Sequence, residues 1–221
     1  MKTIHFTSQR SESGLSDGAW CEFIDKGYVR AGISPKSLLD GLRRSIRRLG
    51  VEFRKIGEAD QRRQVREFLR QPIFRDICAR AYGEGANIAT SRVILINKAP
   101  GQVPDGETVI GWHQDVWKKY RYAPWITVWT AIDEATEENG CLRVVPRSHA
   151  LDQPFGRGMS GFLSEGQSRI VEACCPWEYL PCKPGESILL NNFCIHSTEH
   201  NRTDTPRRAL SVCYAPRVFL R

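Results

Sequence analysis

Apolar residues recur along this chain with two different periods, and the change falls near residue 88. Before it the spacing is helical. Leu38, Leu39, Leu42, Ile46 and Leu49 predict a helix over 36–49, opened by Ser34-Pro35 as N-cap and first helical residue and ended by Gly50. Val65, Phe68 and Leu69 predict a second over 59–70. Pro72 opens a third through about Ala81, with Ile73, Phe74 and Ile77 as its stripe. A short strand over 27–33 precedes them, and the polar residues 1–20 read as a loose arm. Residues 21–85 are thus expected to form a mainly helical flank.

After residue 88 the runs are short, β-branched or aromatic: 93–97, 126–132, 141–145, 187–190 and 209–214. Pro100-Gly101, Asn139-Gly140, Pro146, Pro184-Gly185 and Thr205-Pro206 punctuate them as turns. Many short strands beside a block of helices predict a mainly β domain, a barrel or sandwich over 88–217 with an N-terminal helical cover. Residues 150–182, rich in glycine and proline, show no clear element and read as a long loop near the barrel mouth. The whole chain, 1–221, reads as a single domain.

Composition narrows the class. At 221 residues, 41% hydrophobic and 26% charged, the chain can bury a core without staples. No apolar run approaches the ~20 residues of a membrane span. The start lacks a secretory apolar core, so a cytoplasmic protein with reduced cysteines is expected. There are eight cysteines but no CxxC pair, which excludes zinc-finger and thioredoxin-like spacings; the adjacent Cys174-Cys175 has no account. The net charge of +7 gathers in Arg43, Arg44, Arg47 and Arg48, then Arg62, Arg63, Arg66 and Arg70. These form a solvated basic helix face or a docking surface for an acidic carrier or an anionic, tethered substrate. No nucleic-acid motif accompanies them, and oligomeric state stays open.

Chemistry enters with Trp112-His113-Gln114-Asp115 and, far downstream, Cys194-Ile195-His196-Ser197-Thr198. On a strand, His113 and Asp115 would share a face. With His196 they make two imidazoles and one carboxylate, the protein ligands of a facial triad with open coordination positions. Cys194 could join, but thiolates belong to closed structural sites; His149 and His200 read as structural. Arg207 lies eleven residues after His196. If His196 ends one strand and Arg207 begins the next, both face the same interior. A cation buried there needs an anion, which a carboxylate-bearing ligand supplies through a bidentate pair. Arg208 would face outward.

Several segments in order resemble the phytanoyl-CoA dioxygenase family: Trp112–Asp115, Val128–Asp133, Glu137–His149, Gly185–Leu190, and His196 followed by Asn201–Asp204 and Arg207–Ser211. The resemblance covers about 24–217. It implies a double-stranded β-helix, or jelly-roll, cupin-like fold and an oxygenase that uses Fe(II), 2-oxoglutarate as cosubstrate and O2. Carried over by position, His113, Asp115 and His196 bind the metal. Arg207 and Thr198 hold the distal carboxylate of 2-oxoglutarate, and Gln114, Trp129 and Ile94 line the cosubstrate pocket. Asn139-Gly140 reads as a structural turn. Related halogenases carry a small residue at the position of Asp115, so a carboxylate there implies oxygenation. Arg147 departs from the glycine usual in the Pro-Gly-Ser-His turn.

The implied reaction hydroxylates, or otherwise oxidises, an unactivated C–H bond with release of succinate and CO2. Trp117, Tyr120, Trp125 and the 150–182 segment are the candidate substrate contacts. The chain is short for the family, so trimmed loops and a small metabolite or natural-product intermediate are expected. The alternatives are a cupin-type metal lyase or isomerase, which Arg207 and Thr198 argue against, and a non-catalytic metal-containing binding module.

Overall fold

The computed structural model describes residues 15–47, 54–55, 63–100, 109–116, 126–151 and 161–217. Trp117, Tyr120, Trp125, Arg48, Arg62, the expected helix end at Leu49-Gly50 and the first part of the 150–182 segment lie outside them.

The described residues open on a helix that begins inside the expected arm over 1–20, whose residues 1–14 lie outside them. α1 (Asp17–Lys26) starts where the Ser16 side chain accepts from the Ala19 amide, and it stops at Gly27 in the left-handed conformation, φ 83°. Polar residues around that cap hide the helix, but Leu15, Trp20 and Phe23 anchor it in the core. Next come β1 (Tyr28–Ile33), α2 (Lys36–Arg47), β2 (Arg54–Lys55), α3 (Arg63–Leu69) and α4 (Pro72–Tyr82). Of these, α2, α3 and α4 match the helical spacing.

The remaining strands are β3 (Ile88–Lys98), β4 (Ile110–His113), β5 (Ile126–Ala131), β6 (Leu142–Val144), β7 (Glu178–Leu180), β8 (Glu186–Asn191), β9 (His196–Thr198) and β10 (Arg207–Pro216), with α5 (Glu165–Cys174) between β6 and β7. They pair antiparallel into a six-stranded sheet, β1-β8-β5-β10-β3-β2, and a four-stranded sheet, β4-β9-β6-β7. β1, from the expected helical flank, supplies an edge strand of the larger sheet.

Alternation along β3, β5 and β10 divides the core. Val93, Leu95, Val128, Leu210 and Val212 face α1–α4. Ile94, Ile96, Trp129, Ala131 and Ala209 face the smaller sheet. Two facing antiparallel sheets with helices outside the larger one make the jelly roll expected from the sequence. Arg208 faces outward as expected and forms a bidentate pair with Asp133 at 2.5 and 2.9 Å. Arg43 joins Asp133 at 3.1 Å and Asp40 at 3.0 Å, so it serves the fold; Arg44, Arg63, Arg66 and Arg70 are exposed.

The 150–182 segment is not the featureless loop that its glycines and prolines suggest. Ser164 and Gln167 form a reciprocal capping box that starts α5, and β7 pairs with β6. On the outer face of the smaller sheet α5 covers Trp112, Val145 and Ile195. Arg143 fastens this layer. It lies over the rings of Trp112 and Trp177 and pairs with Glu172 and Glu199 at 3.1 and 2.8 Å. Among the described residues no helix is long and apolar enough to cross a membrane, and all eight cysteines are free thiols.

Candidate functional site

His113, Asp115 and His196 come together as a buried group whose ligand atoms lie within 4.8 Å of one another. The route differs from the strand argument. β4 ends at His113, so alternation does not place Asp115. The chain leaves the strand, and the Asp115 amide donates to the carbonyl of Asn192 at 2.8 Å. His196 likewise opens β9 instead of ending a strand, and it faces His113 as its register partner.

Local hydrogen bonds aim all three side chains. Nδ1 of His113 lies 2.8 Å from the Gly111 carbonyl, and Nδ1 of His196 lies 2.9 Å from the Cys194 carbonyl. A carbonyl accepts only, so each Nδ1 carries a proton, and each Nε2 is the ring atom turned toward the cluster. Those Nε2 atoms stand 3.9 Å from Oδ1 and Oδ2 of Asp115 respectively. Burial, then His196, pushes His113 down to about 3, which keeps its ring neutral. Burial works to raise the Asp115 pKa, but His196, His113, Arg92 and the Thr127 hydrogen bond together leave it below the usual carboxylate value. Two imidazole nitrogens and one carboxylate, with no fourth protein ligand in the cluster among the described residues, suit a divalent metal with open positions. Cys194, the rejected fourth ligand, keeps its buried thiol at about 12 and turns it toward Ser148 and Val145.

Beside this cluster lies a set of buried polar atoms without hydrogen-bond partners among the described residues. Arg207 opens β10 fully buried; its Nη2 donates to the Gly140 carbonyl, while Nε and Nη1 have no partner. Burial lowers its pKa to about 10, so it stays charged at neutral pH. Its guanidinium carbon lies 5.5 Å from the indole centroid of Trp129. Trp129 Nε1, Thr198 Oγ1 and Gln114 Oε1 are likewise buried and unpartnered. Such atoms cost about 1–3 kcal/mol each unless something satisfies them. A dicarboxylate with one end near the triad and the other at Arg207 and Thr198 fits that demand. Ile94 and Trp129 are both register partners of Ser211 on the inward row between metal cluster and Arg207. Gln114 is tied to the Phe193 carbonyl at 2.7 Å, so it also braces the turn before β9.

Sequence reasoning missed four contributors. Thr127 donates to Asp115 Oδ2 at 2.8 Å, and Arg92 Nη1 stands 3.5 Å from Oδ1. Thr127 lies two residues before Trp129 on the same strand face, so strand period could have found it. Gly140, read as a plain turn, also anchors Arg207. Its φ is 78°, and a Cβ there would meet the Glu199 carbonyl oxygen at 2.3 Å. Lys98, the register partner of Arg207, is fully buried and donates to that same Glu199 carbonyl.

With the geometry in place, the sequence matches the family model for phytanoyl-CoA dioxygenase (PhyH) over residues 31–209. The chain belongs to the phytanoyl-CoA dioxygenase family. A probable phytanoyl-CoA dioxygenase of Caenorhabditis elegans is 30% identical over 139 residues, 59% of this chain and 43% of that protein. A methylphosphonate hydroxylase of Gimesia maris is 28% identical over 151 residues, 68% of this chain and 53% of that protein. The chain spans about half the length of the curated relatives it matches. In fold it is similar to a non-heme alpha-ketoglutarate-dependent carbocyclase, SnoK, from nogalamycin biosynthesis (TM-score 0.73, 19% identity, covering 91% of this chain and 84% of that one). It is also similar to EctD from S. alaskensis, solved with 2-oxoglutarate and 5-hydroxyectoine (TM-score 0.71, 16% identity, 94% and 79% coverage).

Proposed function

We propose that this PhyH-family chain acts, as a single catalytic domain, as an Fe(II)/2-oxoglutarate-dependent dioxygenase on a small metabolite or natural-product intermediate. The observation that carries the reading is Arg207, a buried cation with two nitrogens unpartnered among the described residues, aimed into the interior that holds His113, Asp115 and His196. A metal site alone would suit a cupin-type lyase or isomerase. A lyase without a carboxylate cosubstrate has no use for that guanidinium, whose burial without an anion is costly.

His113, Asp115 and His196 would hold Fe(II), and Arg207 with Thr198 would hold the distal carboxylate of 2-oxoglutarate. Bound there with O2, these groups supply chemistry that inserts one oxygen atom into a C–H bond and converts 2-oxoglutarate to succinate and CO2. The protein's part is arrangement. The two backbone carbonyls keep both imidazole Nε2 atoms turned toward one point, and Thr127 holds the carboxylate in register with them. Ile94 and Trp129 form a water-excluding wall between the two ends of the cosubstrate site. Phe162 stacks on His113 with centroids 4.9 Å apart and is 42% exposed, so it stands on the outer side of the cluster. Trp117, Tyr120 and Trp125 remain candidates for substrate contact. The relatives named for phosphonates act on small molecules, which supports that substrate class. The basic surface of α2 and α3 covers the outside of the larger sheet, away from the metal cluster, so tethered delivery across it is disfavoured.

Anaerobic mixing with Fe(II) and 2-oxoglutarate should give the visible metal-to-ligand absorption band, and aerobic mixing should release succinate that depends on 2-oxoglutarate. If neither signal appears with iron loaded, the reading fails. Binding without turnover on any substrate would favour a non-catalytic module.

A further inference from the structure

Phe162 faces the metal cluster, yet neither iron nor cosubstrate binding gives it a role. It pairs with His113 across an antiparallel bridge, His113 pairs with His196, and His196 pairs with Val144. Cross-strand partners share a face, so these four side chains form one row on the inner face of the smaller sheet. The next residue, Leu163, packs outward with Trp112, as strand alternation requires. Exposure along the row is 0% at Val144, 6% at His196, 7% at His113 and 42% at Phe162. The interior therefore opens to solvent at Phe162. At the cosubstrate end, Arg207 and Thr198 are both buried.

Backbone pairing fixes the ring in place. The Gln114 amide donates to the Gly161 carbonyl at 3.0 Å, and the Leu163 amide donates to the Trp112 carbonyl at 2.9 Å. Phe162 is thus clamped against β4 from both sides. Gly161 packs so closely that an added Cβ would collide with the Gln114 carbonyl oxygen, and the Ser164 cap of α5 follows two residues after the ring. One face of the ring lies on the His113 imidazole, with centroids 4.9 Å apart and planes at 24°. A single exposed apolar residue on an outer surface needs no explanation. This one is held beside a metal ligand on the inner face, where the interior opens. A phenyl ring offers apolar contact area and no hydrogen bond, so what it receives presents carbon.

We propose that Phe162 is a specificity-determining residue whose exposed ring forms an apolar wall of the substrate site and packs on a carbon surface beside the oxidised C–H bond. This rests on the function proposed above and deepens it. The substrate class is a small molecule whose reacting carbon belongs to an aliphatic or aromatic portion, with its polar groups carried farther from the metal position.

The test titrates the anaerobic Fe(II)/2-oxoglutarate protein with matched uncharged pairs: cyclohexanol against myo-inositol, and 1-hexanol against sorbitol. It reads perturbation of the metal-to-ligand band and, separately, calorimetric binding. Covering about 50 Å² of ring and probe should make at least one apolar probe bind about fivefold or more tightly than its polyol. Phe162→Ser should abolish that preference while keeping the band, and Phe162→Leu should retain part of it. No preference in the wild type for either pair, or a preference that survives in Phe162→Ser, overturns the proposal. So does a tenfold or greater loss of iron affinity in Phe162→Leu, which would make the ring a prop for His113. A wild-type band without the preference sinks this proposal alone. Absence of the band, with the preference present by calorimetry and lost in Phe162→Ser, would count against the proposed function and leave the apolar site standing.

Discussion

Thr127 and Asp115 are joined by a fully buried hydrogen bond, Oγ1 to Oδ2 at 2.8 Å, that links the central region of the larger sheet to the loop after β4. Because Asp115 sits beyond the end of its strand, this bond and the Asn192 contact to its amide determine where the carboxylate points. Thr127→Val keeps the shape and removes the donor. Outer partners of metal ligands are worth roughly 10- to 100-fold in metal affinity, so an anaerobic Fe(II) titration should show a loss of that order, with Thr127→Ser recovering most of it. Unchanged affinity in the valine variant would show that Asp115 needs no such support.

Arg207→Met should separate cosubstrate binding from iron binding. A charge-assisted hydrogen bond between guanidinium and carboxylate is worth about 1.5–3 kcal/mol, so 2-oxoglutarate affinity should fall by about tenfold to a hundredfold while Fe(II) affinity holds. The same change removes a buried cation with two nitrogens unpartnered among the described residues. The metal-free variant should therefore melt no lower than the wild type, and by analogy with replaced buried charges it should gain about 1 kcal/mol or more. A large fall in melting temperature would show that Arg207 is structural first.

Gly140→Ala should be severe. The residue has φ 78°, and an added Cβ would stand 2.3 Å from the Glu199 carbonyl oxygen. Strain and clash together should cost more than ~3 kcal/mol in urea unfolding. Because the Gly140 carbonyl anchors Arg207, any folded fraction should also bind 2-oxoglutarate more weakly.

Stability of the metal-free protein should rise with pH and then fall. His113 has a folded pKa of about 3 against 6.5 unfolded, so the unfolded chain binds more protons between those values and stability grows as pH rises through them. Lys98, about 6 folded against 10.5, extends the rise above pH 6 by the same sign. The buried thiols of Cys78, Cys194 and Cys213, raised from 9.0 to about 12, reverse it, because above pH 9 the unfolded chain loses protons first. Urea midpoints should peak between about pH 6.5 and 9, and Lys98→Met should flatten the rising limb above pH 6.5. A maximum below pH 6 would contradict these shifts.

Local pattern carried much of the architecture. The 3.6-residue spacing in α2, α3 and α4 and the short apolar runs in β3, β5, β8 and β10 are properties of neighbouring residues, so the helical cover and the mainly β core were legible. Where elements depend on caps or on distant pairing, the reading failed. α1 and α5 begin with polar cap residues inside segments that look like loops. β4, β7 and β9 are four residues or fewer and exist only because they pair with one another or with β6.

The amino-acid sequence by itself determined the chemistry available: two histidines, a carboxylate and an arginine within the segments that resemble the phytanoyl-CoA dioxygenase family. Residue type and order suffice for that, because metal preference and charge are intrinsic to the side chains. Only the tertiary structure decided how they meet. It bent the chain after β4 so that Asp115 rejoins His113, and it made His113 and His196 register partners. It also set Thr127, Arg92, Gly140 and Lys98 around them. Those contacts join residues from about a dozen to over a hundred positions apart. Packing of two sheets brings such residues together, and no local periodicity encodes it.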